Sequence, residues 1–330
     1  MEFTVREINW RDGLAWDEHW RIANLVSREV AGQSAWQLTS EQAAERVRTT
    51  PNRSYCYLNA TVDSLTVGAG RLRTVLDDEP AHSFLDISVL PEFRRVGIGA
   101  ALAAGLLEAA RSHGSRRIDA FVMAHRCNPA VAEGALALAD HLGMRVNAIE
   151  AVRELELPRS WDRPKTPGYT FEVVTGSPRP ELFDDLRVLQ QAMNTDVPQG
   201  EVALPIEEWT DERLAARFRA DDELLWLVFA RDADGRVAGY TELGNPDLPG
   251  VHHLLQQGDT VVLPEHRGHG LGRALKVHAM FRAQADAPWL TRAQTSNDDT
   301  NTHMIPINDW LGFEVVARTW NRTLVLDTAL

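Results

Sequence analysis

The feature that most constrains this chain is that it repeats itself, once, at a period of about 170 residues. The stretch SFLDISVLPEFRRVGIGAAL (83–102) has a partner in QGDTVVLPEHRGHGLGRALK (257–276). In both, a strand-like run ends in Leu-Pro-Glu, followed by an aromatic residue or His, an Arg, a pair of glycines and an apolar helical pattern. Further on, HLGMRV (141–146) matches WLGFEV (310–315), and RELEL (153–157) matches RTLVL (322–326). The order is the same in both halves. So long a period predicts duplicated domains rather than a stacked-repeat solenoid.

Length agrees, since 330 residues favour two cores over one. The seam is expected at Pro158–Gly168, PRSWDRPKTPG, whose prolines suit neither a helix nor a central strand. The halves are then residues 1–157 and 169–330, with 158–168 as linker. In the second half LLWLVFA (224–230) reads as a buried strand, DADG (232–235) as a turn and RVAGYTEL (236–243) as its hairpin partner. HHLLQQGDTVVL (252–263) and PWLTRAQT (288–295) read as further strands, and THMIPINDWLG (302–312) as a helix. From Gly270 onward Leu271, Leu275 and Ala279 form one helical face, as Ile98, Leu102 and Leu106 do in the first half. Antiparallel strands followed by a strand–helix–strand unit predict an α/β class with an α+β mixed sheet in each half.

The net charge is −13, from 34 Lys plus Arg against 47 Asp plus Glu. Such a surface repels phosphate backbones and argues against nucleic acid, whereas it favours a cationic ligand such as an amine or simply maintains solubility. No basic-then-apolar leader opens the sequence and no apolar run is long enough to span a membrane, so no membrane association is expected. Cys56 and Cys127 are too few for a disulfide framework and lack metal-ligand spacing. The expectation is a cytoplasmic protein without metal, as a monomer or homodimer.

Arg-x-x-Gly-x-Gly lies between strand and helix twice, as Arg94, Gly97, Gly99 and as Arg267, Gly270, Gly272. Glycine lets a ligand approach the backbone, and the first turn of a helix offers unpaired N–H groups at the positive end of its dipole. Together these make an anion site suited to a pyrophosphate. A Walker loop requires Gly-Lys-Ser/Thr, which neither segment has, and the third glycine of the dinucleotide fingerprint is replaced by Leu102 and Leu275.

On RRVGIG (94–99) and RGHGLG (267–272), both halves resemble the GNAT superfamily of N-acyltransferases, whose motif is Arg/Gln-x-x-Gly-x-Gly/Ala after the fourth strand. NTHMIPINDWLGF (301–313) is similar to that family's later signature, an Asn followed by a helix ending in Leu-Gly-Phe; NPAVAEGALALADHLGM (128–144) is its looser counterpart. The resemblance covers nearly the whole chain, and the tandem arrangement is similar to that of mycothiol synthase and other two-domain bacterial members. The second copy does not closely resemble mycothiol synthase itself, so that substrate is not assigned.

The resemblance implies direct acyl transfer from acetyl-CoA to an amine. The backbone amides of Val96, Gly97, Ile98, Gly99 and Ala100 and of His269, Gly270, Leu271, Gly272 and Arg273 would hold the pyrophosphate. Arg94, Arg95, Arg267 and Gly268 complete the two loops. Asn301, and Asn128 in the first copy, would hydrogen-bond the pantetheine arm, and a backbone N–H near Val262 or Val89 would stabilise the oxyanion. The family's usual Tyr, which protonates the departing thiolate, is replaced by Asn308 and by Ala139.

A protonated amine cannot attack, so a base is needed. Asp259 and Asp86 each stand five residues before the loop proline, an unusual place for Asp in a strand, and are either bases or carboxylates capping the loop's own amides. His252 and His253 are either bases or partly exposed surface residues, and Glu242 is either a base or a solvated strand end. The second copy keeps more polar groups and is expected to be catalytic. The leading expectation is acetylation of a small-molecule amine. The alternatives are an acyl-CoA sensor without turnover and an acetyltransferase acting on protein lysines or N-termini.

Overall fold

The computed structural model describes residues 1–32, 35, 37–50, 52–76, 81–196, 208–220, 223–246 and 251–326. Along the chain run β1 (Thr4–Ile8), α1 (Leu14–Ala31), α2 (Ser40–Thr49), β2 (Arg53–Val62), β3 (Leu65–Val75), β4 (His82–Val89), α3 (Ile98–Ser112), β5 (Arg117–His125), α4 (Val131–His141) and β6 (Arg145–Glu156). The order then recurs as β7 (Thr170–Thr175), α5 (Phe183–Asp196), α6 (Asp211–Arg217), β8 (Glu223–Arg231), β9 (Val237–Pro246), β10 (Leu254–Val262), α7 (Leu271–Asp286), β11 (Arg292–Asp298), α8 (Met304–Leu311) and β12 (Glu314–Val325). The mixed α/β class and the duplication both stand.

Two compact units divide the chain, but not at the expected seam. One holds Met1–Glu150 with the C-terminal stretch from Ala317; the other holds Ala151–Asp247 and Val251–Val316. In the first unit the strand order is β1-β2-β3-β4-β5-β12, and β12 pairs antiparallel with β5 from Ala317 opposite His125 to Val325 opposite Arg117. In the second the order is β6-β11-β10-β9-β8-β7. Glu154 of β6 accepts from Arg292 and Gln294 of β11, and the Leu157 amide donates to the Thr291 carbonyl. Each unit is thus completed by the strand that the repeat assigns to the other half. Because RELEL and RTLVL are near-equivalent, sequence symmetry cannot say which sheet edge each one joins; hydrogen-bond register decides it.

Both faces of each sheet are covered, which is why its central strands are apolar on alternate and on adjacent positions. In the first unit Leu102 and Leu106 of α3 pack with Leu58, Val67 and Leu72, and Trp16 and Trp20 of α1 cluster with Ile8 of β1 and Tyr57 of β2. In the second, Leu271, Leu275 and Ala279 of α7 pack on Trp226, Val228 and Leu243. Leu186, Leu189 and Leu214 of α5 and α6 pack on Leu227, Phe229 and Tyr240. Each such leucine stabilises the fold by about 1.5–3 kcal/mol when fully buried. Pro306 sits in the first turn of α8, where a missing N–H costs nothing. The 288–295 strand begins only at Arg292, after a turn in which the Leu290 amide bonds Ala287. Among the described residues, no helix is long and apolar enough to cross a membrane.

Candidate active site

In each unit a short 3-10 turn joins strand to helix, and the motif Arg folds back to lock it. Arg94 Nε donates to the Val89 carbonyl at 2.9 Å, and its guanidinium also holds Glu29; Arg267 Nε donates to the Val262 carbonyl at 3.1 Å. These two arginines fasten the loop to the end of its own strand, a role that charge attraction to a phosphate does not require. Gly97 (φ +95°) and Gly270 (φ +76°) cap α3 and α7 in the left-handed region, and neither helix start has a side-chain cap. The amides of Ile98, Gly99 and Ala100, and of Leu271, Gly272 and Arg273, are therefore first-turn donors. The first intrahelical bonds come from Ala101 and Ala274.

The two glycines of each motif have separate jobs. A Cβ at Gly268 or Gly270 would meet nothing within 4 Å, so a ligand can approach there. At Gly99 it would come 3.3 Å from Leu138, and at Gly272 2.9 Å from Ile307: the second glycine seats the loop helix against α4 or α8. Arg95 takes φ +64° where the second unit has Gly268 at +81°.

Beyond the loop, the parallel strands part. β10 and β11 are in register only from Leu254–Arg292 to Gln256–Gln294, and β4 and β5 only from His82–Arg117 to Phe84–Asp119. The Leu263 amide bonds Ala238 of β9 and the Leu90 amide bonds Val67 of β3. Since N–H groups alternate along a strand, those of Val262 and Val89 turn toward the open edge.

The units differ most at the strand beside this gap. β3 and β4 pair without interruption from Gly68–Val89 to Val75–His82. In β10 one extra residue enters between Gln257 and Thr260, so that Gly258 and Asp259 face Glu242 of β9. Gln257 ties the bulge down, donating from its side chain to the Glu242 carbonyl (2.8 Å) and to Thr241 Oγ1 (3.0 Å). Around it lies an acid cluster. Arg217 of α6 donates to Glu242 Oε1 at 2.5 Å and reaches Asp259 at 3.5 Å; Tyr240 donates to Asp259 at 3.3 Å and accepts from Gln190 at 2.5 Å.

Glu242 is only 6 % exposed, and its Oε2 is buried without a partner among the described residues. Burial pushes its carboxyl above the ordinary range; Arg217 opposes the shift and Asp259 adds to it. The solvated strand end considered from sequence is thereby excluded. Asp259 turns to Tyr240 and Arg217, not to the loop amides, so it is no loop cap.

Asn308 lies elsewhere than in a solvent-facing site. It is 1 % exposed, accepts from Lys276 Nζ at 2.9 Å and donates to Asn297 at 3.2 Å. Lys276, buried in α7, has its amine pulled down by burial to about 7. The matching positions in the first unit are Ala103, Ala139 and Val122, all apolar, so the polar chain is confined to the second unit. Asn301, just before α8, accepts from the Met304 amide at 3.0 Å through its side-chain oxygen. Asn128 is exposed.

His253 is a correction. It lies in the turn before β10, about 20 Å along the strand from Asp259, where β10 and β11 are still paired. Burial, His252 and Arg292 lower its basicity. In the first unit Asp86 is held by Arg71 at 2.6 and 2.9 Å in the uninterrupted ladder. Sequence reasoning missed Arg217, Tyr240, Gln190 and Lys276. Tyr240 was within reach, since it alternates with Glu242 on one strand; Arg217 and Lys276 carry no local signal because their partners come from distant segments. Among the described residues, no group of three or more His, Cys, Asp or Glu could hold a metal ion.

Comparison with known proteins follows the same lines. The profile of the acetyltransferase (GNAT) family matches residues 16–132 and 188–306. A mycothiol acetyltransferase of Mycobacterium sp. (strain JLS) is 28 % identical over 281 residues, 82 % of each chain. One of Salinispora arenicola (strain CNS-205) is 29 % identical over 262 residues, 76 % of this chain and 75 % of that one. Among solved structures, a tandem GNAT protein from the clavulanic acid biosynthesis pathway matches all of both chains with a TM-score of 0.78 at 23 % identity. A GCN5-related N-acetyltransferase from Sphaerobacter thermophilus matches 99 % of this chain and 97 % of its own, with a TM-score of 0.67 at 17 % identity. These two likenesses bear on the fold.

Proposed function

The chain belongs to the acetyltransferase (GNAT) family, and on that premise we propose that it acetylates a primary amine of a small molecule from acetyl-CoA, with the chemistry in its second unit. The observation that carries this reading is the bulge cluster: a buried Glu242 with one oxygen unpartnered among the described residues, beside Asp259 and Arg217, at the edge of the gap between β10 and β11. Acetyl-CoA supplies the acyl group as a thioester. The uncapped first turn of α7 and the open approach at Gly268 and Gly270 fit its pyrophosphate.

Glu242 is the base in this reading. An attacking amine must lose a proton, and a carboxylate whose affinity for protons is raised by burial is better matched to that task near neutral pH. Arg217 keeps the carboxylate ionised and oriented, and Asp259 offers the ammonium a second negative charge. The Val262 amide meets the charge that develops on the acyl oxygen. Lys276 and Asn297 fix the amide of Asn308. The relatives' name, mycothiol acetyltransferase, makes an acetyl transfer that yields mycothiol one candidate reaction.

The test is release of free CoA from acetyl-CoA across a panel of small amines, amino sugars and lysine peptides. Turnover with a small amine that falls about 100-fold in Glu242→Gln is expected. Turnover only with peptides, or none with any amine while acetyl-CoA binds, would replace this reading by one of the other two.

A further inference from the structure

The first unit contains a cavity of about 300 Å³ between α1, α2 and the β3–β4 ladder, which the proposed transfer does not use. Its walls include His19, Trp20, Arg46, Arg71, Asp86 and Ser88. We propose that this cavity binds a small carboxylate-bearing molecule of amino-acid size and holds it without acyl transfer.

Size and charge set the class of ligand. Ligand sites run from about 300 to 1,000 Å³, so this one suits a compact metabolite. Arg71 is already paired with Asp86 in the same walls, so the guanidinium of Arg46 is the charge left over. His19 adds no charge at neutral pH: it is buried, bonds Asn59 at 2.8 Å, and burial pulls it down to about 4. The walls therefore carry net positive charge, although the whole chain carries −13. Guanidinium forks recognise carboxylates. Asp86, its side chain half exposed, can meet an ammonium on the same ligand. Trp20 adds an indole N–H buried without an acceptor among the described residues, a group whose donor is costly to leave unused.

The same walls lack the equipment for transfer. β3 and β4 pair without a bulge, and Arg71 stands across from Asp86 where the second unit sets Glu242 across from Asp259. Asp86 is occupied by Arg71, which also lies 5.7 Å over the Trp20 ring. An acid paired in this way orients a ligand rather than taking its proton. The polar chain of Lys276, Asn308 and Asn297 is also replaced here by apolar residues.

The experiment is titration calorimetry on the full chain at low salt with L-glutamate, succinate and 1,4-diaminobutane. The two carboxylates should bind and the diamine should not. Arg46 is exposed at the end of α2, so Arg46→Glu is expected to fold, checked by its melting curve, and to weaken carboxylate binding at least 10-fold. Arg46→Lys should restore part of it. Acetyl-CoA turnover without added carboxylate should not change in either variant. No carboxylate binding up to about 10 mM, beyond the weakest specific affinities, would overturn the proposal. So would a diamine binding as well as succinate, or glutamate binding that Arg46→Glu leaves untouched.

Discussion

The carboxylate of Glu242 lies directly over Gly258: a Cβ built on that glycine would sit 2.3 Å from Oε1 and 2.7 Å from Cγ. A side chain at position 258 would therefore have to push the carboxylate aside. Gly258→Ala should force Glu242 away from Arg217, cutting turnover at least 10-fold and costing about 1–3 kcal/mol of stability. Gly244→Ala is the control, since its Cβ would meet only the Leu224 carbonyl, at 3.9 Å. Equal effects of the two substitutions on rate would show that the packing over Gly258 does not matter.

Glu242→Gln and Asp259→Asn separate the two acids. Loss of the base should cost about 100-fold in kcat. Asp259 raises the proton affinity of Glu242, so Asp259→Asn should move the acid limb of the pH–rate profile to lower pH while leaving much of the maximal rate. If Asp259→Asn abolishes the rate and Glu242→Gln does not, the base is Asp259.

Lys276 makes stability depend on pH with a definite sign. Its amine is drawn from 10.5 to about 7 in the folded chain. Between those values the unfolded chain holds a proton that the native one lacks, so this group's contribution to stability rises with pH across that window; below pH 7 its full cost is present. Lys276→Met removes that cost and, offset by the lost bond to Asn308, should stabilise most at acid and neutral pH. The gain should shrink toward pH 10.5, by at most about 1.4 kcal/mol per pH unit. Urea unfolding at several pH values checks it; a difference that stays flat with pH contradicts the shifted amine.

The two glycine loops should respond unequally. Gly97→Ala and Gly270→Ala each place a Cβ in the left-handed region, at a similar cost of about 1–2 kcal/mol. Melting curves should therefore match, while turnover should fall in Gly270→Ala and persist in Gly97→Ala. Loss of turnover in a folded Gly97→Ala would move the chemistry to the first unit.

Arg95 tests the strain in the first loop. At φ +64° it holds a conformation that costs a side chain about 1–2 kcal/mol, where the second unit uses Gly268. Arg95→Gly should raise the melting temperature and leave turnover intact; an unchanged or lowered midpoint would show that the Arg side chain repays the strain.

The sequence by itself determined the duplication, the strand–loop–helix order and the two glycine loops, because each is written in neighbouring residues: positive-φ glycines, apolar spacing, a proline after a strand. It also brought Glu242 and Asp259 forward as polar residues in strands. It did not show that they meet, because the single extra residue in β10 that turns both to one site has no local signature; the same Leu-Pro-Glu ending follows an uninterrupted strand in the first copy. The tertiary structure alone decided that Arg217 joins them, that Lys276 reaches Asn308, and that His253 stands at the wrong end of its strand. It alone decided where the units divide, since RELEL and RTLVL are interchangeable as sequences and only pairing with β11 or β5 tells them apart. Contacts within a turn or helix are fixed by short-range geometry, whereas contacts between distant segments depend on register and burial, which no single segment encodes.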